Sequence, residues 1–359
     1  MPICPSFDAI FHRRGVKNRI DNYRGIGYNK DKCRRGKMVM SRRRMHQKDA
    51  IILAGLLGGV LLLLFSPLWG PMIWRAPASF SEPVAVSGQA TKKEEKKETK
   101  EEQKQLPIVN EEGMTLAERI NTPKGYTREE AEKGSLAEFL RNYSLKKSTG
   151  VVKTWDGKKA KDITNTPAVF KLPLAKENLQ WAGGSVIRLY TEYLWENQMY
   201  DKISFQFSDG FAAQYQKWRE GFRIRKDATG AIWVNGGELD KTRKNLEAYL
   251  HCVLTYTSVS TLEKETKKIK KDKLQTGDLF LDVATGDAAV VVDVCVNENG
   301  EKAFLLGKGG KPAKQFHLLT NPAHEEDPWY YYESELQYPF VTSEGEFKKG
   351  SLRHPTYLD

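Results

Sequence analysis

The sequence predicts an α+β domain placed after a single transmembrane helix, and three patterns carry that expectation. Apolar residues recur at helical spacing between about residues 135 and 254, and at strand spacing from Leu279 onward. Helices followed by an antiparallel sheet define the α+β class. Ahead of both, Ala50–Trp74 is 25 residues without a charge.

That uncharged stretch reads as a membrane anchor, since roughly 20 apolar residues cross a bilayer's hydrocarbon core. Arg42, Arg43, Arg44 and Lys48 precede it, and the positive-inside rule then puts the N-terminus in the cytoplasm. Trp69 and Trp74 fall near the far end, where indole rings favour the interface. Everything after Arg75 is expected outside, so the bilayer itself is the first expected partner. The rival reading is a cleaved leader ending at Ala76-Pro77-Ala78, a small-x-small pattern suited to cleavage.

Residues 1–49 hold 14 Lys/Arg against 4 Asp/Glu, whereas the other 310 residues hold 43 against 42. The net charge of +11 therefore belongs to a basic cytoplasmic tail. A nucleic-acid-binding domain would carry its basic footprint on the folded part, so no nucleic acid is expected as partner. Met38, Met40 and Met45 each precede an arginine-rich start, so 1–37 reads either as an over-extended beginning or as a disordered basic tail, and Cys4 and Cys33 are expected to carry no function.

Residues 75–112 read as a charged stalk. Within 91–105, six pairs spaced four apart are like-charged and only Lys97/Glu101 is opposite, a pattern that opposes a helix and favours a solvated spacer.

The globular domain is expected over 113–359. Ser135-Leu-Ala-Glu138 is a capping box opening a short helix, and Val151–Trp155 is a strand entering an Asp156-Gly157 turn. Leu179, Ala182, Val186, Leu189, Tyr193 and Leu194 share one helical face, and Leu246, Tyr249, Leu250, Val253 and Leu254 share another. Ile203, Phe205 and Phe207 alternate as a strand. Strands at about 278–282, 288–296 and 302–307 follow, the last two joined through Asn299-Gly300.

Several blocks resemble a known family. Gly134–Asn142, Val186–Leu194, Ile203–Phe211, Lys217–Gly221, Gly277-Asp278, Lys302–Leu306, His317–Pro322 and Pro328–Tyr330 are similar to the signature blocks of the domain-of-unknown-function 4846 family. That family's Gly-Asp and Gly-His-Ala strand in turn resembles the NlpC-type papain-like cell-wall hydrolases. The resemblance implies a cysteine at a helix start, a histidine at a strand start to activate it, and a polar side chain on the next strand to orient the ring.

At those positions this chain carries Ala182, Asp287 and Lys308. A carboxylate cannot replace an imidazole as base at neutral pH. The expectation is a degenerate papain-like domain that binds peptidoglycan or envelope peptides as a scaffold. The alternative is an envelope amidase or peptidase with a different constellation, for which His317 is the candidate alongside Asp287.

Other residues have plainer readings. Ser185 reads as a helix-start residue, and Cys252 and Cys295 as small buried side chains, with a disulfide between them left open. His324-Glu-Glu-Asp327 reads as a solvated turn rather than a metal site, and Trp329–Tyr332 as core packing rather than a sugar platform. Lys217–Arg223 suits either a groove for acidic ligands or a buried Trp218 with Arg219 paired to a carboxylate. No phosphate loop, dinucleotide fingerprint or zinc signature is present, so no cofactor or metal is expected.

Overall fold

The computed structural model describes residues 106–148 and 150–358. The segments expected as basic tail, as anchor at 50–74 and, for most of its length, as stalk lie outside the described residues. No helix among the described residues is long and apolar enough to cross a membrane.

The elements in chain order are α1 (Leu116–Arg119), β1 (Tyr126–Arg128), α2 (Leu136–Arg141) and α3 (Ala182–Glu196). Next come β2 (Ser204–Gln206), β3 (Ala212–Gln214), α4 (Tyr215–Arg219), β4 (Phe222–Asp227) and β5 (Gly230–Asn235). Helices α5 (Arg243–Tyr256) and α6 (Val259–Lys264) lead to β6 (Thr266–Lys268), β7 (Leu279–Asp282), β8 (Asp287–Asn297) and β9 (Lys302–Lys308). The chain then adds β10 (His317–Leu318), β11 (Tyr330–Tyr331), α7 (Tyr332–Glu335), β12 (Phe340–Thr342), β13 (Gly345–Phe347) and β14 (Leu352–Pro355).

The principal sheet is antiparallel, in the order β10-β9-β8-β7-β14-β6, with β1 pairing on β8 and β11 on β9. Both faces are covered, and the strand sequences show it. Leu279, Leu281, Val290 and Leu305 join the core shared with α3 and α5. Their neighbours Phe280, Val291, Phe304 and Leu306 join a second core roofed by Tyr330, Phe340 and Phe347. A sheet buried on both sides needs apolar residues at consecutive positions, which explains the unbroken run from Ala288 to Val292. A bulge between Val291 and Asp293 shifts the register of β8 against β9.

That bulge sends Asp293 into the interior with no solvent exposure. Arg128 of β1 and Arg141 of α2 meet its two oxygens at 2.6 and 2.8 Å. One buried carboxylate thus ties two early elements to the middle of the sheet. Helix α2 starts as expected on Ser135, whose hydroxyl accepts from Glu138 N, but the Glu138 carboxylate reaches back to Gly134 N rather than to Ser135.

Helix α3 is the axis of the inner core, with Val186, Leu189 and Leu194 buried. Its first turn carries Gly183 and Gly184, poor helix formers. A Cβ on Gly184 would press on Leu254 at 2.9 Å, so close helix packing demands the smallest residue there. Buried Arg188 bridges to Glu192 and Glu247, and Arg243 engages the same two carboxylates from α5.

Three local readings change. Lys217–Arg223 spans a short helix and the start of a β4–β5 hairpin that helical periodicity does not reveal. Trp218 is buried as expected, but Arg219 stacks on Tyr200 at 3.9 Å instead of meeting a carboxylate. The folded part also takes in residues ahead of Gly113. Val109 bridges Ile120, Asn121 N donates to Ile108 O, and the buried Arg119 guanidinium donates to the carbonyls of Gly113, Lys146 and Pro167.

Candidate functional site

Strand β8 opens at Asp287 and its neighbour β9 closes at Lys308. Because the two run antiparallel, these residues emerge at the same end of the sheet. Lys308 Nζ donates to Asp287 Oδ2 at 2.7 Å. The lysine side chain is 5% exposed and the aspartate 21%, so the pair is largely withdrawn from water.

His317 faces Lys308 across the β9–β10 register and has no solvent exposure. Its Nδ1 lies 2.9 Å from the carbonyl of Gln315, and its Nε2 lies 2.5 Å from Glu344 Oε1. Glu344 stands in the turn between β12 and β13, where Gly345 also approaches Asp287. Both ring nitrogens are thus engaged within the protein, which leaves neither facing an open space for a substrate. Lys314 pairs with Asp162 beside this layer.

The helix start expected to carry a nucleophile is built differently. Trp181 is the N-cap of α3 and makes no side-chain cap bond. Ala182 follows it and belongs to the apolar core, while Trp181 is 40% exposed. Ser185 lies one turn further in, fully buried, with its hydroxyl 3.4 Å from Gln180 O. The loop after Lys308 packs directly on it, and a Cβ on Gly309 would overlap Ser185 Oγ.

The sheet thus gathers Asp287, Lys308 and His317 at one end, whereas Ala182 turns into the core. Cys252 and Cys295 are both buried and no disulfide joins them. Burial, together with the neighbouring Asp293 carboxylate, pushes the Cys295 thiol up, which leaves it a poor nucleophile.

Two depressions lie elsewhere and share Gly134 and Ser135. One, of about 590 Å³, is lined by Glu138, Tyr143, Lys171 and Glu196. The other, of about 540 Å³, is lined by Tyr193, Gln275, Thr276 and His354. Behind the second, fully buried Asp278 accepts from His354 Nδ1 at 2.6 Å and from Gln275 N at 2.8 Å. Burial pushes its carboxyl up to about 6, although both hydrogen bonds pull the other way. Neither depression touches Asp287, Lys308 or His317. No group of three or more His, Cys, Asp or Glu suited to a metal occurs among the described residues.

With this geometry in place, comparison decides the family. Residues 116–354 match the model of a domain of unknown function numbered 4846. The chain belongs to the domain-of-unknown-function 4846 family. No curated protein and no solved structure matches it.

Within this family 4846 domain, the sequence blocks converge in space. Tyr190 and Tyr193 of the α3 block donate to Gly277 O at 2.5 Å and Gly134 O at 3.1 Å, so one helix face holds two other blocks. Trp329 and Tyr330 are buried, as core packing requires, and Trp329 Nε1 donates to Asn121 O. His324 pairs with Glu335 at 2.7 Å in an exposed turn.

The sequence reading singles out neither Glu344 nor the side chain of Trp181, and it ranks His354 below His317 among the histidines. Glu344 and His354 lie far along the chain from their partners, and spacing alone carries no signal for them. Trp181 does carry one, since it falls off the helical face marked by Leu179, Ala182 and Val186, whereas Trp155 closes the run read as a strand.

Proposed function

We propose that this chain is a single-pass membrane protein whose outward-facing domain is a degenerate papain-like fold of NlpC type. In this reading the domain holds a cell-envelope polymer, peptidoglycan or its peptides, and does not cut it. The observation that carries the reading is the 2.7 Å contact between Lys308 and Asp287. These occupy the positions where the papain resemblance places the activating histidine and the side chain that orients it. A carboxylate engaged by an ammonium accepts hydrogen bonds but relays no proton to a nucleophile at neutral pH. Ala182, the position where that resemblance places the nucleophile, is buried in the core and offers no nucleophilic atom. The antiparallel sheet with α3 packed on it is compatible with the papain-like reading, and the uncharged run 50–74 supports the anchor.

One observation favours a second reading, an amidase or peptidase of non-standard design. His317 meets the Glu344 carboxylate, and imidazole–carboxylate pairs serve hydrolases. Its buried ring, with both nitrogens engaged, speaks for a structural role.

Purified full-length protein incubated with isolated peptidoglycan separates the two. Co-sedimentation without soluble muropeptides is expected. Release of muropeptides would overturn the binding-only reading, and loss of that release in Glu344→Gln would establish the second. For the anchor, the protein should stay with the membrane pellet through an alkaline carbonate wash. Extraction into the supernatant would remove that part of the reading.

A further inference from the structure

The loop that follows Lys308 is flanked by two exposed tryptophans and a cluster of lysines. Trp155 and Trp181 are 39% and 40% exposed, unusual for rings of this size in a domain with two well-filled cores. They are not loose. Asn178 Oδ1 accepts from Trp181 Nε1 at 3.0 Å and from Ala313 N at 2.8 Å, and Ala313 O accepts from Trp155 N at 2.8 Å. One loop residue thus holds both tryptophan segments, one on each side. The same loop begins at Gly309, whose contact with Ser185 seats it on α3.

Lysines outnumber carboxylates around the pair, and the nearby Glu177 pairs with His251 at 3.3 Å. Residues 151–162 contain four lysines and two aspartates. Each aspartate is already engaged, Asp156 by Lys158 at 2.7 Å and Asp162 by Lys314. Lys153, Lys159 and Lys161 are exposed, and Lys311 reaches over the Trp181 ring with Nζ 4.1 Å from its centroid.

We infer that this face binds a polysaccharide bearing anionic groups, with Trp155 and Trp181 stacking on sugar rings and Lys311, Lys159 and Lys161 meeting carboxylates or phosphates. Aromatic faces pack against the C–H faces of sugar rings, and ammonium groups supply the point charges that anionic substituents require. A neutral glycan leaves the lysines without a role, and a ring-free polyanion leaves the tryptophans without one. A nucleic acid would meet both, but the whole chain beyond residue 49 is nearly neutral, which fits a local patch better than a phosphate-tracking groove. The inference rests on the proposed envelope-polymer reading and names the ligand class for it.

The test uses the full-length protein and four probes: a polyuronate oligomer, a neutral chitin hexamer, a glycerol-phosphate polymer without sugar rings, and single-stranded DNA. Tryptophan fluorescence and calorimetry report binding. The polyuronate should bind about tenfold more tightly than either the chitin hexamer or the ring-free polymer, and should weaken as salt rises. Trp155→Ala and Trp181→Ala should each weaken it about tenfold, with Trp181→Phe retaining most of the affinity. Lys311→Ala should erase the preference over the neutral probe. A glycan that carries phosphate on its sugars, binding in place of the polyuronate, would identify phosphate as the anionic group. Equal binding of the ring-free polymer or of DNA, or tryptophan variants that bind like the parent with unchanged melting, would overturn the inference. Intact peptidoglycan retained by the doubly substituted Trp155→Ala/Trp181→Ala protein would sink this surface while sparing the wall-binding reading. Failure of the parent protein to bind the wall, with the polyuronate still bound, would do the reverse.

Discussion

Asp287 and Asp293 stand on the same strand, and the contrast between them separates scaffold from site. Asp293 sits where β8 bulges, has no exposure, and is held by two arginines from different elements. Asp287 sits at the strand's first residue, is 21% exposed, and is held by one lysine from the adjacent strand. The first arrangement crosses long sequence separations and fixes topology. The second is local, faces the protein's edge, and neutralises a position where the family resemblance expects chemistry. A buried carboxylate is therefore no marker of function by itself; its partners' origin tells the two apart.

Breaking the staple should have the largest effect. Asp293→Asn leaves two guanidinium groups without their anion and should cost about 3–5 kcal/mol, read from the denaturant midpoint. A cost equal to that of Asp287→Asn would erase the distinction drawn here.

A third carboxylate sharpens the contrast, because no cation among the described residues pairs with Glu265. Burial pushes it up to about 7, one oxygen accepts from Gln206 N at 2.8 Å, and the other has no partner. Its folded value lies above its ordinary value of 4.5, so the folded state resists ionisation. Stability from the neutral form is full below about pH 4.5 and declines as pH rises towards 7. Glu265→Gln should therefore gain up to about 3 kcal/mol over the parent near pH 8 and nothing near pH 4. A gain independent of pH would contradict the assignment.

Asp287→Asn should cost about 2 kcal/mol, since Lys308 would stay buried without its anion, and adding Lys308→Met should recover most of it. If the double substitution is no better than the single, the pair is not coupled. Gly309→Ala should cost about 1–3 kcal/mol by forcing the loop off Ser185, and Ser185→Gly in the same chain should relieve it. Smallest of all, Trp155→Ala should change melting stability by less than about 0.5 kcal/mol, as expected for an exposed ring.

How far the sequence revealed this follows from what each signal measures. Periodicity found α3, α5 and strands β7 to β9, because burial on a fixed face repeats along the chain. It missed the β4–β5 hairpin, whose residues are mostly half exposed and obey no strict alternation. The papain-like resemblance, not periodicity, marked Asp287 and Lys308, with His317 as a separate candidate, and the sheet does gather the three. It put Ala182 in the same company, whereas the helix rotates that residue into the core and presents Trp181 instead. One residue of helical phase decides this, and element boundaries read from sequence are no sharper than that. Glu344 and the tie of Asn178 to Ala313 are contacts of tertiary origin, invisible to any local pattern.

The pairing of residues 107–109 with Ile120 and Asn121 also has a mechanical meaning. A tension entering at Leu106 meets the Asn121 Nδ2 bond to Pro107 O at 2.7 Å and then the Ile108–Asn121 and Val109–Ile120 pairings. Behind them stands Arg119, spreading the load over three backbone carbonyls from separate segments. Single-molecule pulling from that end should show a distinct early force peak, and Arg119→Met should abolish it.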